Sequence, residues 1–292
     1  MYHPLHFYPT SEKAGEMVRK QVSFAEERAY KTKFVQGIHD GTLPPRQFLS
    51  YTACIYPIVV GFCQGLGHMV GHFDAVTDAR ILSALYRQGA EEIGHNNIWR
   101  GMLTAFGVDH AKLYRDFKEY RSKFSKKRWA EMGENLIRPS PHWNPFFAMH
   151  LIAKKLYPKP PLPHPVLALT YQMDKTGQNG NPWIHFACQS AIETVLINLV
   201  TFGLPTYMEK HPEFFNSPVT KAWWHEHTKS TGEGKANDEE RHVSVSLMTL
   251  DRYATASKEM RETVYGTLKL FVSVLMYFSC GIFPIDRYRI RK

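Results

Sequence analysis

Helical patterning of apolar and polar positions runs through most of this chain, and capping residues between the patterned stretches set their ends. Ser11 is placed to cap a first helix running to about His39, where Gly41 would stop it. Pro44 and Pro45 suit the first turn of a second helix reaching roughly Gly71, and Pro57 would kink it. Thr77 and Asp78 open a third helix that ends near Gly107, and a fourth, polar and solvent-facing, runs from about Asp109 to Lys126. From Arg138 to Pro165 the chain is rich in proline and reads as irregular, apart from a short helix near Phe146 to Leu156. Pro182 begins a long apolar helix ending near Gly203, and a short helix follows near Val219 to His227. Gly232 and Gly234 disfavour a continuous helix across Thr228 to Lys235. Asn237, with Glu240 three residues on, forms a capping box that restarts the helix, and the last helix spans about Ser257 to Cys280. There is no convincing strand ladder, internal repeat or long low-complexity tract. The sum predicts one all-α domain over residues 1–292, built from roughly eight to ten helices.

Composition narrows the setting. Apolar residues make up 43% and charged residues 22%, ordinary for a globular protein, and the net charge of +9 favours anionic ligands. The basic residues are spread out, with only the short cluster Lys123, Lys126, Lys127 and Arg128, so nucleic acid is not an expected partner. Four cysteines without a CxxC pair read as free thiols in a reducing compartment. The N-terminus lacks the apolar core of a signal peptide, and the most apolar stretch, Leu270 to Phe283, is too short to span a membrane. A cytoplasmic location is the resulting expectation.

Two motifs carry candidate chemistry. In Glu91-Glu92-Ile93-Gly94-His95, either glutamate shares a helix face with His95. In Asp238-Glu239-Glu240-Arg241-His242, Glu239 and His242 repeat the spacing of three. Between them, Glu193 sits inside the apolar run Phe186 to Ile197, where burying an unpaired charge would be costly. An ExxH alone is usually a solvated pair, and a lone buried Glu is as readily a salt-bridge partner. The ordered set ExxH, Glu, ExxH is the ligand pattern of helical di-iron and di-manganese sites, and its oxygen and nitrogen donors suit iron or manganese. His225 and His227 are the next candidates. Only one of them can face inward, and His227 shares a face with Trp223.

At these residues the chain resembles the TenA/PqqC branch of the haem-oxygenase-like fold, and more narrowly its iron-dependent members, the haem-oxygenase-like diiron oxidases. The likeness lies in Gly41 to Gly65 with Arg46-Gln-Phe-Leu and Tyr56-Pro57, in Glu92 to Val108, in Tyr171 to Val200, and in Trp223 to Leu250. The resemblance implies metal ligands at Glu92, His95, Glu193, Glu239 and His242. The family's remaining ligand should lie seven residues before His242, where this chain has Lys235. An insertion over roughly Thr228 to Lys235 would pass that role to His227. Without one, Lys235 itself enters the site as a candidate catalytic residue.

The implied activity is that of a non-haem iron oxidase or oxygenase. It would use O2 and ferrous iron, expected as two ions, on a small anionic or amphipathic carboxylate- or amine-bearing substrate. Outcomes in such enzymes include decarboxylative cleavage, desaturation and N-oxygenation, and a homodimer is expected by the same analogy. Two other classes compete. One is a cofactorless oxidase or TenA-like hydrolase on the same fold. The hydrolase needs a nucleophilic cysteine, and Cys188, the only one near a proposed ligand in sequence, points some 140° from Glu193, since five residues turn a helix by roughly 500°. The other is a non-catalytic helical binding protein whose Glu and His residues form a buried salt-bridge network.

Overall fold

Thr32 divides what the sequence reads as one first helix. Helix α1 (Ala14–Tyr30) ends at Lys31, and the Thr32 hydroxyl accepts from the Val35 N–H to start α2 (Lys33–His39). Ser11 lies outside the described residues, and Lys13, which precedes α1, gives it no side-chain cap. Gly41 then leaves α2 at φ +64°, a conformation that favours glycine. The structure is a computed structural model describing residues 12–123, 161–228, 238–280, 283 and 285–290.

Helix α3 (Pro45–Val70) starts on Pro45 and continues through Pro57. Helix α4 (Ala79–Ala105) closes at Gly107, φ +74°, and α5 (His110–Ser122) is capped by Asp109, whose carboxylate accepts from Lys112 N–H. The expected short helix at Phe146 to Leu156 lies outside the described residues. Helix α6 (His164–Gly177) starts at the end of the proline-rich stretch and runs through residues where the sequence predicts no element. Pro165 occupies the first turn, where a missing N–H costs nothing. Helix α7 (Pro182–Lys210), capped by Asn181, passes its expected end at Gly203 and continues through Pro205. Helices α8 (Pro218–Thr228), α9 (Asp238–Tyr253) and α10 (Lys258–Cys280) follow close to their expected bounds. A 3-10 turn at Ile285–Tyr288 then leads back to the α4–α5 corner, where Asp109 N–H donates to Tyr288 O at 2.7 Å. Among the described residues the β-type contacts are two isolated bridges, Lys13 with Thr255 and Val108 with Arg289.

Helix α7 is apolar on all sides, the mark of a helix enclosed by others. It packs against α1, α2, α6, α9 and α10, while α3 packs on α4 and α6, and α8 lies along α4. Buried apolar side chains from these helices form one contiguous cluster. Helices α3 and α10 are each long and apolar enough to cross a membrane, so α10 exceeds the short apolar stretch read from the sequence. Yet 61% and 50% of their most apolar windows are buried against other helices, as in core helices.

The start of α1 is fastened to the corner between α9 and α10. Ala14 N–H donates to Ala254 O at 3.1 Å, Ala256 N–H to Glu12 O at 2.9 Å, and Glu16 N–H to Asp251 Oδ1 at 2.9 Å. A Cβ at Gly15 would lie 2.3 Å from Leu247 O, so glycine there lets α1 sit directly on α9.

Candidate functional site

Helix α4 turns Glu92 inward and Glu91 outward. Glu92 is 6% exposed, whereas Glu91 ion-pairs with Arg87, one turn away, at 3.2 Å. This separates the two glutamates that the motif alone left equivalent. Two turns beyond, Trp99 fixes the rotation of α4 against α3 by donating Nε1–H to Thr52 O at 3.2 Å. His95 stands beside Glu92, with Nδ1 3.9 Å from Oε2. Two ligands of one ion sit ~3 Å apart for typical metal bond lengths, so a small side-chain rotation brings this pair onto a common ion.

Across from α4, Cys63 of α3 hydrogen-bonds with the side chain of Asn96 and senses the charge of Glu92. Burial, and then Glu92, push its thiol up to about 11. On α7, Glu193 is also 6% exposed and accepts from Gln189 Nε2 at 3.0 Å. Gln189 itself is fully buried.

Helix α8 connects these two helices, since it packs on α4 and also touches α7 and α9. His225 is exposed, and position 227 lies about 200° further around the axis. On α9, Ser246 and Leu250 are buried. The side chains of His227, Glu239 and His242 lie outside the described residues, as does Lys235. Among the described residues, no three His, Cys, Asp or Glu side chains gather closely enough to hold an ion. The structure thus brings Glu92 to His95, and buries Glu193 on a separate helix. The described donors, carboxylate oxygens and an imidazole nitrogen, fit iron or manganese.

Cys188 is not the thiol near a candidate ligand. It accepts from Thr267 Oγ1 of α10 at 3.4 Å, and burial pushes it up to about 12. Cys63 is the thiol beside a candidate ligand. Sequence reasoning missed it because the pairing of α3 with α4 is a long-range packing choice. Asn96 and Gln189 had a readable signal, since each is one turn from a candidate carboxylate.

No family model matches the chain, and no curated protein matches it either. Solved structures do. It is similar to a TenA homologue from Pseudomonas syringae, with a TM-score of 0.57 and 12% identity over 95% of this chain and 96% of that one. It is also similar to a TenA homologue from P. horikoshii, with a TM-score of 0.53 and 12% identity over 91% and 98%. A domain of unknown function with a haem-oxygenase-like fold from Shewanella denitrificans matches at 0.53 and 14% identity over 90% of each chain. These likenesses, together with the all-helical architecture, give this chain the haem-oxygenase-like fold of the TenA type.

Proposed function

We propose that α4, α7, α8 and α9 hold ferrous iron and that the protein is an O2-dependent oxidase or oxygenase. Its substrate would be a small carboxylate- or amine-bearing molecule. The observation that carries this reading is a buried carboxylate on each of two core helices, Glu92 beside His95 and Glu193 beside Gln189. Such groups are expensive to bury, and an ion offsets the cost. Glu92, His95 and Glu193 would be ligands, with His227, Glu239 and His242 completing a set for two ions. Bound ferrous iron supplies the activation of O2 that carboxylates and imidazoles alone cannot. The chain's own groups do the rest. Gln189 orients one Glu193 oxygen, Glu91 and Arg87 keep the outer face of α4 from competing, and the apolar walls of α7 exclude water. The test is anaerobic titration with ferrous iron followed by O2, read by metal content and visible absorbance. A transient band and stoichiometric iron in the parent, lost in Glu193→Ala and Glu92→Ala, supports the reading. Full-length folded protein that takes up no iron overturns it.

Cys63 favours a second reading, a TenA-like thiol hydrolase, because it is a thiol beside a carboxylate. Both burial and Glu92 hold the thiol protonated, so Glu92 would have to take its proton before attack. Cys63→Ser separates the two. It abolishes hydrolysis under this reading and leaves iron loading intact under the first.

A further inference from the structure

Helix α3 carries Pro57, Gly61 and Gly65 at intervals of one turn. A Cβ at Gly61 would meet no atom within 4 Å, because a cleft of about 110 Å³ opens there between α3, α5, α6 and the start of α7. Its floor is His185, 1% exposed. A Cβ at Gly65 would come within 1.9 Å of His185 Nε2, so glycine is what leaves that nitrogen room.

His185 Nδ1 lies 2.8 Å from Thr176 Oγ1, which also donates to Met173 O at 2.9 Å. A hydroxyl has one proton, so with it on Met173 O the oxygen accepts from Nδ1–H, and Nε2 turns to the cleft a lone pair with no hydrogen-bond partner among the described residues. Burial keeps the ring neutral, pushing it down to about 4. A second acceptor lines the same cleft. Asp174 is ion-paired with Arg121 at 2.9 Å, and burial raises its carboxyl. Leaving a buried polar atom without a partner costs about 1–3 kcal/mol. His185 Nε2 and the Arg121-paired Asp174 carboxylate line one small space with Pro57, Ile58 and Met173 as apolar wall and with His68 and Arg121 also lining it, so the open acceptor there is the imidazole nitrogen. A cavity of about 150 Å³ holds benzene, so this one suits a smaller guest.

We propose that this cleft binds a small primary alkylammonium ion, its N–H groups donated to His185 Nε2 and the Asp174 carboxylate and its carbon against Pro57, Ile58 and Met173. The site is separate from the candidate metal centre. His185 precedes Glu193 by about 12 Å along α7, and Cys63, whose thiol senses the charge of Glu92, lies about 200° around α3 from Gly61.

The test uses the full chain and methylammonium chloride at constant ionic strength, with the His185 ring nitrogens followed by 15N NMR. A saturable shift of Nε2 is expected, weakened about tenfold or more by Asp174→Asn, since hydrogen bonds to charged groups are the strong ones. Gly61→Leu fills the cleft from a position with free space, so it should abolish the shift at an unchanged melting temperature. Should that variant fail to fold, Asp174→Asn and His185→Gln, read by calorimetric titration, decide the matter by the same loss of binding. The proposal is overturned by the absence of a saturable shift, by an equal response to glycerol, or by full binding in folded Gly61→Leu. It is also overturned if Gly61→Leu loses iron together with methylammonium, because the cleft would then belong to the metal centre.

Discussion

Arg261 is the residue whose loss should reach furthest from its own position. It is 5% exposed near the start of α10, and its guanidinium ion-pairs with Glu12, which is 3% exposed ahead of α1. It also donates to Ala256 O at 3.1 Å, and its carbonyl accepts from Gln21 Nε2 at 3.1 Å. Arg261→Met keeps the length of the side chain and removes the charge. Breaking a buried pair from one side costs about 3–5 kcal/mol, because the other charge is left stranded. Glu12 keeps Lys20 at 2.6 Å, but that lysine is largely exposed and its attraction is screened. The lower end, about 3 kcal/mol, is therefore expected, or roughly 5 °C in melting temperature for a chain of this size. Thermal melts of the parent, Arg261→Met, Glu12→Gln and the double variant measure it. The double variant should lose less than the sum, because Glu12→Gln removes the stranded charge. Strict additivity, or a single-variant loss under about 1 kcal/mol, would refute the reasoning. The same corner anchors the end of α9, so amide exchange along Ser244 to Leu250 should quicken in Arg261→Met.

Three further outcomes are expected. His185 ordinarily titrates at 6.5 and burial depresses it to about 4, so its contribution is present above pH 6.5 and is lost as pH falls towards 4. At 1.36 kcal/mol per unit that is about 3 kcal/mol, and the fall in melting temperature across this window should be shallower in His185→Gln than in the parent. Glu92→Ala should cost iron stoichiometry by metal analysis while Glu91→Ala leaves it unchanged, and equal losses would break the assignment of the inward face. Gly41→Ala places a Cβ 2.4 Å from Lys210 Cδ at φ +64°, so denaturant unfolding should show a loss of about 1–2 kcal/mol.

Much of the helical order was legible because caps and glycines act locally. Gly41 and Gly107 stop helices where the sequence places them, and Asp109 starts one. The same local logic failed where two signals conflict. Thr32 is a poor helix interior residue and a good cap, and only its hydrogen bond to Val35 N–H shows which role it takes. Prolines before His164 read as a broken stretch, although Pro165 marks a helix start. In the site, spacing alone brought Glu92 and His95 together, but choosing Glu92 over Glu91 needed the burial of one face of α4. Cys63 could not be read, because its proximity to Glu92 depends on how α3 and α4 pack.

Helix α7 joins these threads. An apolar helix enclosed by its neighbours has no need of polar side chains to fold, and each one buried there carries a desolvation cost. Yet His185, Gln189 and Glu193 recur every four residues along it, 1%, 0% and 6% exposed. Gln189 donates from Nε2 to Glu193 Oε1, while its own oxygen finds no hydrogen-bond partner among the described residues. Replacing all three with leucine would make a simpler core. Their alignment on one side of α7 is the arrangement expected of a spine that presents an imidazole at one end and a carboxylate at the other. Under the two proposals, the cost in stability is the cost of holding both sites on one rigid element.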